Sequence, residues 1–153
     1  MIDHSVPDLA LPATGDQTIR LGALRGAPFV LYFYPRDNTP GCTAEGQQFR
    51  DLYERFAAQD CRIFGVSRDS LKSHEAFKAK MRFPFDLISD PEEKACIAFD
   101  VIRTKNMYGR KLRGIERSTF AVDAAGIVRR EWRAVKVPGH AQEVLDFISS
   151  QRK

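Results

Sequence analysis

Three cysteines, Cys42, Cys61 and Cys96, are scattered unevenly along the chain, with no C-x-x-C pair. One of them has the surroundings of a nucleophile. It lies in the stretch Tyr34-Pro35-Arg36-Asp37-Asn38-Thr39-Pro40-Gly41-Cys42-Thr43-Ala44-Glu45. Thr39 is a residue type that caps helices, and Pro40 then falls at the first helical position, where a missing N–H costs nothing. That register puts Cys42 in the first turn of a helix, where backbone N–H groups point outward and the helix dipole favours an anion. Thiols so placed ionise at roughly pH 3.5–7.5, against ~8.5 for a free thiol. The alternative for any lone cysteine is a small apolar packing residue. The Pro-Gly pair before Cys42 argues against that, because Gly41 lets a substrate approach the backbone closely. Cys61 opens a strand and Cys96 has Ile97 and Phe99 as neighbours, so both read as core.

Other chemistries find little support. His4, His74 and His140 are far apart, and His74-Glu75 lacks the second histidine of a zinc helix; no metal or cofactor site is expected. Gly65-Val66-Ser67-Arg68-Asp69 resembles a G-x-S-x-G turn but ends in aspartate. There is no Walker loop and no dinucleotide fingerprint.

The elements that must position Cys42 follow from periodicity. Leu9–Leu11 and Thr18–Leu21 flank a turn at Thr14-Gly15-Asp16, an N-terminal β-hairpin. Phe29–Tyr34 is a continuous apolar run, the pattern of a central strand covered on both faces. Phe49, Leu52, Tyr53 and Phe56 form one helical stripe. Arg62–Ser67 is the next strand. Ser70 caps a helix to Met81 with Leu71, Phe77 and Met81 inward, Asp86–Ser89 is a short strand, and Asp90-Pro91-Glu92-Glu93 opens a helix bearing Cys96. Residues 103–116 are basic, Gly-punctuated and aperiodic, which reads as a loop. Thr119–Val122 and Ile127–Trp132 form a hairpin, and the last helix turns Ala141, Val144, Leu145 and Ile148 to one side. Helices between the middle strands and a hairpin near the end make an α/β fold with a mixed central sheet flanked by helices.

A chain of 153 residues, 43% hydrophobic and 29% charged, fits one domain spanning 1–153 that needs no metal or disulfide to fold. No apolar run approaches the ~18 residues that span a bilayer, and no signal peptide is visible, so a cytoplasmic protein without a membrane partner is expected. The net charge of +4 gathers at Arg103–Arg117 and Arg129–Lys136. It reads as a solvated face rather than a nucleic-acid footprint.

Pro35, Thr39 and Cys42 form P-x-x-x-T-x-x-C, and the wording Tyr-Pro-x-Asp-x-Thr-Pro-Gly-Cys-Thr resembles the peroxidatic loop of the Q-type peroxiredoxins, also called bacterioferritin comigratory proteins. Pro7-Asp8, Gly65-Val66-Ser67 and Glu116-Arg117-Ser118-Thr119-Phe120 extend the likeness along nearly the whole chain. The resemblance implies a thioredoxin-like fold and a thiol peroxidase. In it Cys42 attacks a hydroperoxide and becomes a sulfenic acid, Arg117 stabilises thiolate and oxygens, Thr39 exchanges hydrogen bonds with both, and Pro35 shields the sulfur. It also implies that Glu45 orients the polar network. Many such proteins carry a second, resolving cysteine at the position of Gln47, others at that of Lys78; here neither is cysteine. One-cysteine behaviour is therefore expected, with thioredoxin, glutaredoxin or glutathione as reductant, and a monomer, as in many relatives. Two other readings stay open: a glutathione-peroxidase-like enzyme, and a redox sensor or holdase switched by oxidation of Cys42.

Overall fold

The run Phe29–Phe33 forms strand β3, and the rest of the molecule is laid around it. The computed structural model describes residues 1–151. Before β3 come β1 (Ala10–Ala13), β2 (Gln17–Arg20) and a 3-10 turn at Leu21–Ala23. After it follow α1 (Pro40–Asp51), α2 (Tyr53–Ala57), β4 (Arg62–Ser67), α3 (Leu71–Met81), β5 (Asp86–Ser89) and α4 (Lys94–Ala98). The chain closes with β6 (Ile102–Met107), β7 (Arg110–Ile115), β8 (Ser118–Val122), β9 (Val128–Trp132) and α5 (His140–Gln151). Seven strands make one sheet in the order β2-β1-β5-β4-β3-β8-β9. β3, β4 and β5 run parallel, and β1, β2, β8 and β9 add antiparallel pairs, so the sheet is mixed as expected.

Because side chains alternate along a strand, β3 feeds two cores. Phe29, Leu31 and Phe33 pack with Leu11, Cys96, Phe99 and Phe120; Val30, Tyr32 and Tyr34 pack with Phe49, Phe56, Cys61, Phe77 and Val144. Helices α1, α2, α3 and α5 cover the second face, while α4 packs on the first, whose core also takes in Leu11, Ala13 and Ile19 of the N-terminal hairpin. Asp86 ties that hairpin to β5. Its carboxylate accepts from Thr14 Oγ1 at 2.9 Å, Gln17 Nε2 at 2.7 Å and Lys78 Nζ at 2.7 Å.

Three local expectations need correcting. Residues 103–116 form a two-stranded ribbon, β6–β7, rather than a loop. Tyr108 and Gly109 both take positive φ, 52° and 77°, the backbone of a tight two-residue hairpin turn. The ribbon is largely exposed, so it lacks the apolar alternation by which a strand is recognised. The stripe from Phe49 to Phe56 is split into two helices at Leu52, yet both phenylalanines remain fully buried. On α3, Leu71 is exposed; the buried positions are His74 and Phe77, with Ser70 capping the helix from its hydroxyl as expected. Among the described residues, no helix is long and apolar enough to cross a membrane.

Candidate active site

β3 delivers the chain to the C-terminal edge of the sheet, where ligands bind in open α/β folds. Tyr34 still pairs there, donating its N–H to Val66 O at 3.0 Å, and the chain then turns through Pro35–Thr39 with Asn38 at φ 64°. Helix α1 begins at Pro40, with Thr39 extended at its cap position. The Thr39 hydroxyl, however, does not cap: it donates to Arg36 O at 2.8 Å. The first N–H to close within the helix is that of Thr43, on Thr39 O at 2.9 Å. The N–H groups of Gly41 and Cys42, among the first four of the helix, have no acceptor further back along it. Among the described residues no side chain caps them.

Arg117 arrives from the other side for a topological reason. β8 pairs antiparallel with β3 so that Phe33 faces Ser118, and residue 117 lies just beyond the end of β3, beside the start of α1. Its carbonyl accepts from Val135 N at 3.0 Å, which fixes the backbone. The guanidinium then forks. Nη2 donates to Cys42 Sγ at 3.4 Å and Nη1 to Glu45 Oε1 at 2.6 Å. Cys42 is 2% exposed and Glu45 1%. Burial pushes the Glu45 carboxyl up and Arg117 pulls it back, leaving it at about 7. Burial weighs against the charge on Arg117, but Glu45 and Cys42 outweigh it and hold the guanidinium more firmly protonated than usual. Gly41 has a second reason to be glycine: a Cβ there would sit 3.0 Å from Arg117 Nη2. Pro35 lies exposed on the outer side of the turn.

A cysteine sulfur almost closed off from water, one fixed cation against it and free N–H groups beside it can stabilise a thiolate and the charge it passes on. A model of the AhpC/TSA family matches residues 2–131. The chain belongs to the AhpC/TSA family. It is 50% identical over 146 residues to peroxiredoxin Bcp of Xanthomonas campestris, covering 95% of this chain and 91% of that protein. Identity to peroxiredoxin Bcp of Bacillus subtilis is 47% over 147 residues, 96% and 94% of the two chains. A solved structure of the X. campestris bacterioferritin comigratory protein, concerned with its alkyl peroxide reduction, superposes with TM-score 0.92 at 49% identity, covering 95% and 93%. That of Xylella fastidiosa PrxQ gives 0.95 at 41%, covering 100% and 98%. The fold is the thioredoxin-like fold of the peroxiredoxins, and the protein is a thiol peroxidase with a peroxidatic cysteine, a hydroperoxide substrate and a thiol reductant.

The other two cysteines of this peroxiredoxin lie elsewhere. Cys96 packs in the core on the opposite face of the sheet from Cys42. Cys61 shares the face of Cys42 but precedes β4, which runs parallel to β3, and so sits at the opposite end of the sheet. A strand of this length separates the two ends by roughly 15 Å. Burial pushes the Cys61 thiol up to about 12. Cys96 is raised by burial and by the adjacent Asp90.

The sequence reading missed a second buried network beside the first. Asp37 Oδ1 accepts from Tyr34 Oη at 2.6 Å; its Oδ2 accepts from Ser73 Oγ at 2.7 Å and lies 2.7 Å from His74 Nδ1. His74 Nε2 lies 2.9 Å from Ile88 O. The Asp37 N–H donates to Asp69 Oδ2 at 2.9 Å, and the Ser67 hydroxyl donates to the same oxygen at 2.6 Å. Polar atoms of Asp37, Asp69 and His74 thus come within 4.8 Å of one another, engaged in hydrogen bonds. The available signal was His74 standing three residues before Phe77, on the buried stripe of α3.

Proposed function

We propose that Cys42 is the peroxidatic residue, that Arg117 and Thr39 act on the peroxide with it, and that an outside thiol completes the cycle. The observation that carries this is the fork of Arg117, 3.4 Å from Cys42 Sγ and 2.6 Å from Glu45. The thiolate attacks the terminal oxygen of R–O–OH. An S–O bond forms, the O–O bond breaks, and RO⁻ leaves and takes up a proton. Sulfur loses two electrons, the peroxide gains them, and Cys42 becomes a sulfenic acid. Charge moves from sulfur to the departing oxygen, and the guanidinium with the Gly41 and Cys42 N–H groups spans that path. Because the Thr39 hydrogen is spent on Arg36 O, its oxygen has lone pairs left to accept the O–H of the hydroperoxide. The hydroxyl therefore gives its hydrogen to a carbonyl, not to the sulfur as the family resemblance suggested. Pro35 shapes the turn from its outer side.

One thiol then displaces the sulfenic oxygen as water, forming a mixed disulfide, and a second thiol releases Cys42 and leaves as a disulfide. The positions and raised thiols of Cys61 and Cys96 support an external reductant, in keeping with thioredoxin, glutaredoxin or glutathione. We read the chain as one domain, acting as a monomer in the cytoplasm, and alkyl hydroperoxides as substrates alongside hydrogen peroxide. The test is peroxide consumption under excess dithiothreitol. Cys42→Ser abolishes turnover while Cys61→Ser and Cys96→Ser retain it; turnover surviving in Cys42→Ser rejects the assignment.

A further inference from the structure

We propose that the buried Asp37–His74 pair is a clasp on the turn before Cys42, favouring attack on peroxide while slowing the return of the oxidised sulfur to a reducing thiol. The inference rests on Cys42 being the peroxidatic residue. At 2% exposure Cys42 can be approached by a small peroxide, but the thiol that displaces the sulfenic oxygen must line up behind the S–O bond. The cover has to move.

Contacts along the turn show what resists that motion. The Thr39 hydroxyl bonds within the turn itself, and Asn38 has a long, exposed contact with Lys80 at 3.5 Å. Among the described residues of the turn, Asp37 alone is fastened inward, by three side-chain partners and one through its own N–H. Through His74 the fastening reaches Ile88 in β5, an interior strand of the sheet between β1 and β4. Ile88 O is an acceptor only, so Nε2 must donate to it. Burial works against the Asp37 carboxylate, yet hydrogen bonds from His74, Tyr34 and Ser73 hold it below its ordinary range. Asp37 Oδ2 and His74 Nδ1 thus share a 2.7 Å hydrogen bond between side chains 1% and 0% exposed, closed off from competing water. Removing one member leaves a buried polar group without its partner, a penalty that the turn relieves by swinging out.

Asp37 and His74 are positioning residues on this account, and a positioning clasp moves the two half-reactions in opposite directions. The experiment is single-turnover kinetics on His74→Gln, Asp37→Asn and the milder Ser73→Ala. It follows oxidation of Cys42 by hydrogen peroxide, reduction of the preformed sulfenic acid by dithiothreitol, and the sulfinic fraction by mass spectrometry. His74→Gln and Asp37→Asn are expected to slow oxidation about tenfold or more, as a displaced nucleophile does. They are also expected to speed reduction and lower the sulfinic fraction. Ser73→Ala, which keeps the Asp37–His74 hydrogen bond, shifts each in the same direction by less, and serves if the other two fail to fold. The clasp is overturned if both half-reactions slow together or neither changes in a folded variant. If Cys42→Ser still consumes peroxide, the fault lies with the peroxidatic assignment instead.

Discussion

Cys42 and Cys96 pack against opposite faces of the same sheet, with β3 between them. A disulfide needs Cα atoms within ~7 Å, and closing one here would mean taking the sheet apart. Cys61, at the far end of β4, is no better placed. After one equivalent of peroxide, mass spectrometry of the native protein is expected to show Cys42 carrying one added oxygen. An internal bridge to Cys61 or Cys96 under native conditions would contradict this arrangement.

The fork of Arg117 is a geometric demand as well as a charge. Arg117→Met is expected to lower kcat/KM for peroxide by roughly 10²–10³-fold, the range for losing a fixed donor at developing charge. Arg117→Lys keeps the charge but cannot reach both Sγ and Glu45 in a plane, so it recovers only part of the loss. Gly41→Ala, whose methyl would stand 3.0 Å from Nη2, displaces the guanidinium and gives an intermediate rate with the thermal midpoint nearly unchanged. Steady-state peroxide assays on the three variants check the order.

Glu45 gives stability a pH dependence of definite sign. Its carboxyl stands at about 7 in the folded protein against 4.5 ordinarily, so between these values the folded state holds more protons than the unfolded one. Its contribution is fully present below 4.5 and is lost as pH rises through about 7, by about 3 kcal/mol. Glu45→Gln removes that slope. His140, buried and lowered to about 4, remains in both proteins and cancels from the comparison. Urea midpoints at pH 5 to 8 are expected to fall for the wild type relative to Glu45→Gln; parallel curves would refute the assignment.

We propose the basic β6–β7 ribbon as the surface that an acidic reductant protein would meet. Arg113 pairs with Glu93 and Arg103 with Asp100, whereas Lys105, Arg110 and Lys111 are exposed without an ion pair among the described residues. Reversing those three to glutamate is expected to raise KM for thioredoxin several-fold and leave dithiothreitol-driven turnover unchanged. Thioredoxin turnover that ignores both the reversal and ionic strength would remove the ribbon from the account.

Sequence patterning was most informative where burial enforces a period. The run at β3, the start of α1 under Pro40 and the face of α5 are all where the residues put them. So is the convergence of Arg117 on Cys42, although the resemblance rather than any spacing pointed to it. What stayed hidden was polar and tertiary. The Asp37–His74 pair joins a turn to a helix dozens of residues later, and nothing local marks a buried histidine except its place on an apolar stripe. The Thr39 hydroxyl had two acceptable local partners, and only the turn geometry chose Arg36. An exposed ribbon packs no face of its own, so its strands leave no hydrophobic trace.

Lys78 carries a consequence for anyone wishing to add a second redox cysteine. Its amine is one of three groups saturating Asp86, the joint between the N-terminal hairpin and β5. A thiol there would loosen that joint while gaining a redox partner. Gln47 has no side-chain bond among the described residues, and it stands on the same helix as Cys42. Five residues of helix rise about 7.5 Å, so a thiol at 47 would wait out of reach until α1 unwinds. Retrofitting is therefore cheaper for the scaffold at 47, and it would make the unravelling of one helix the timer of the new bond.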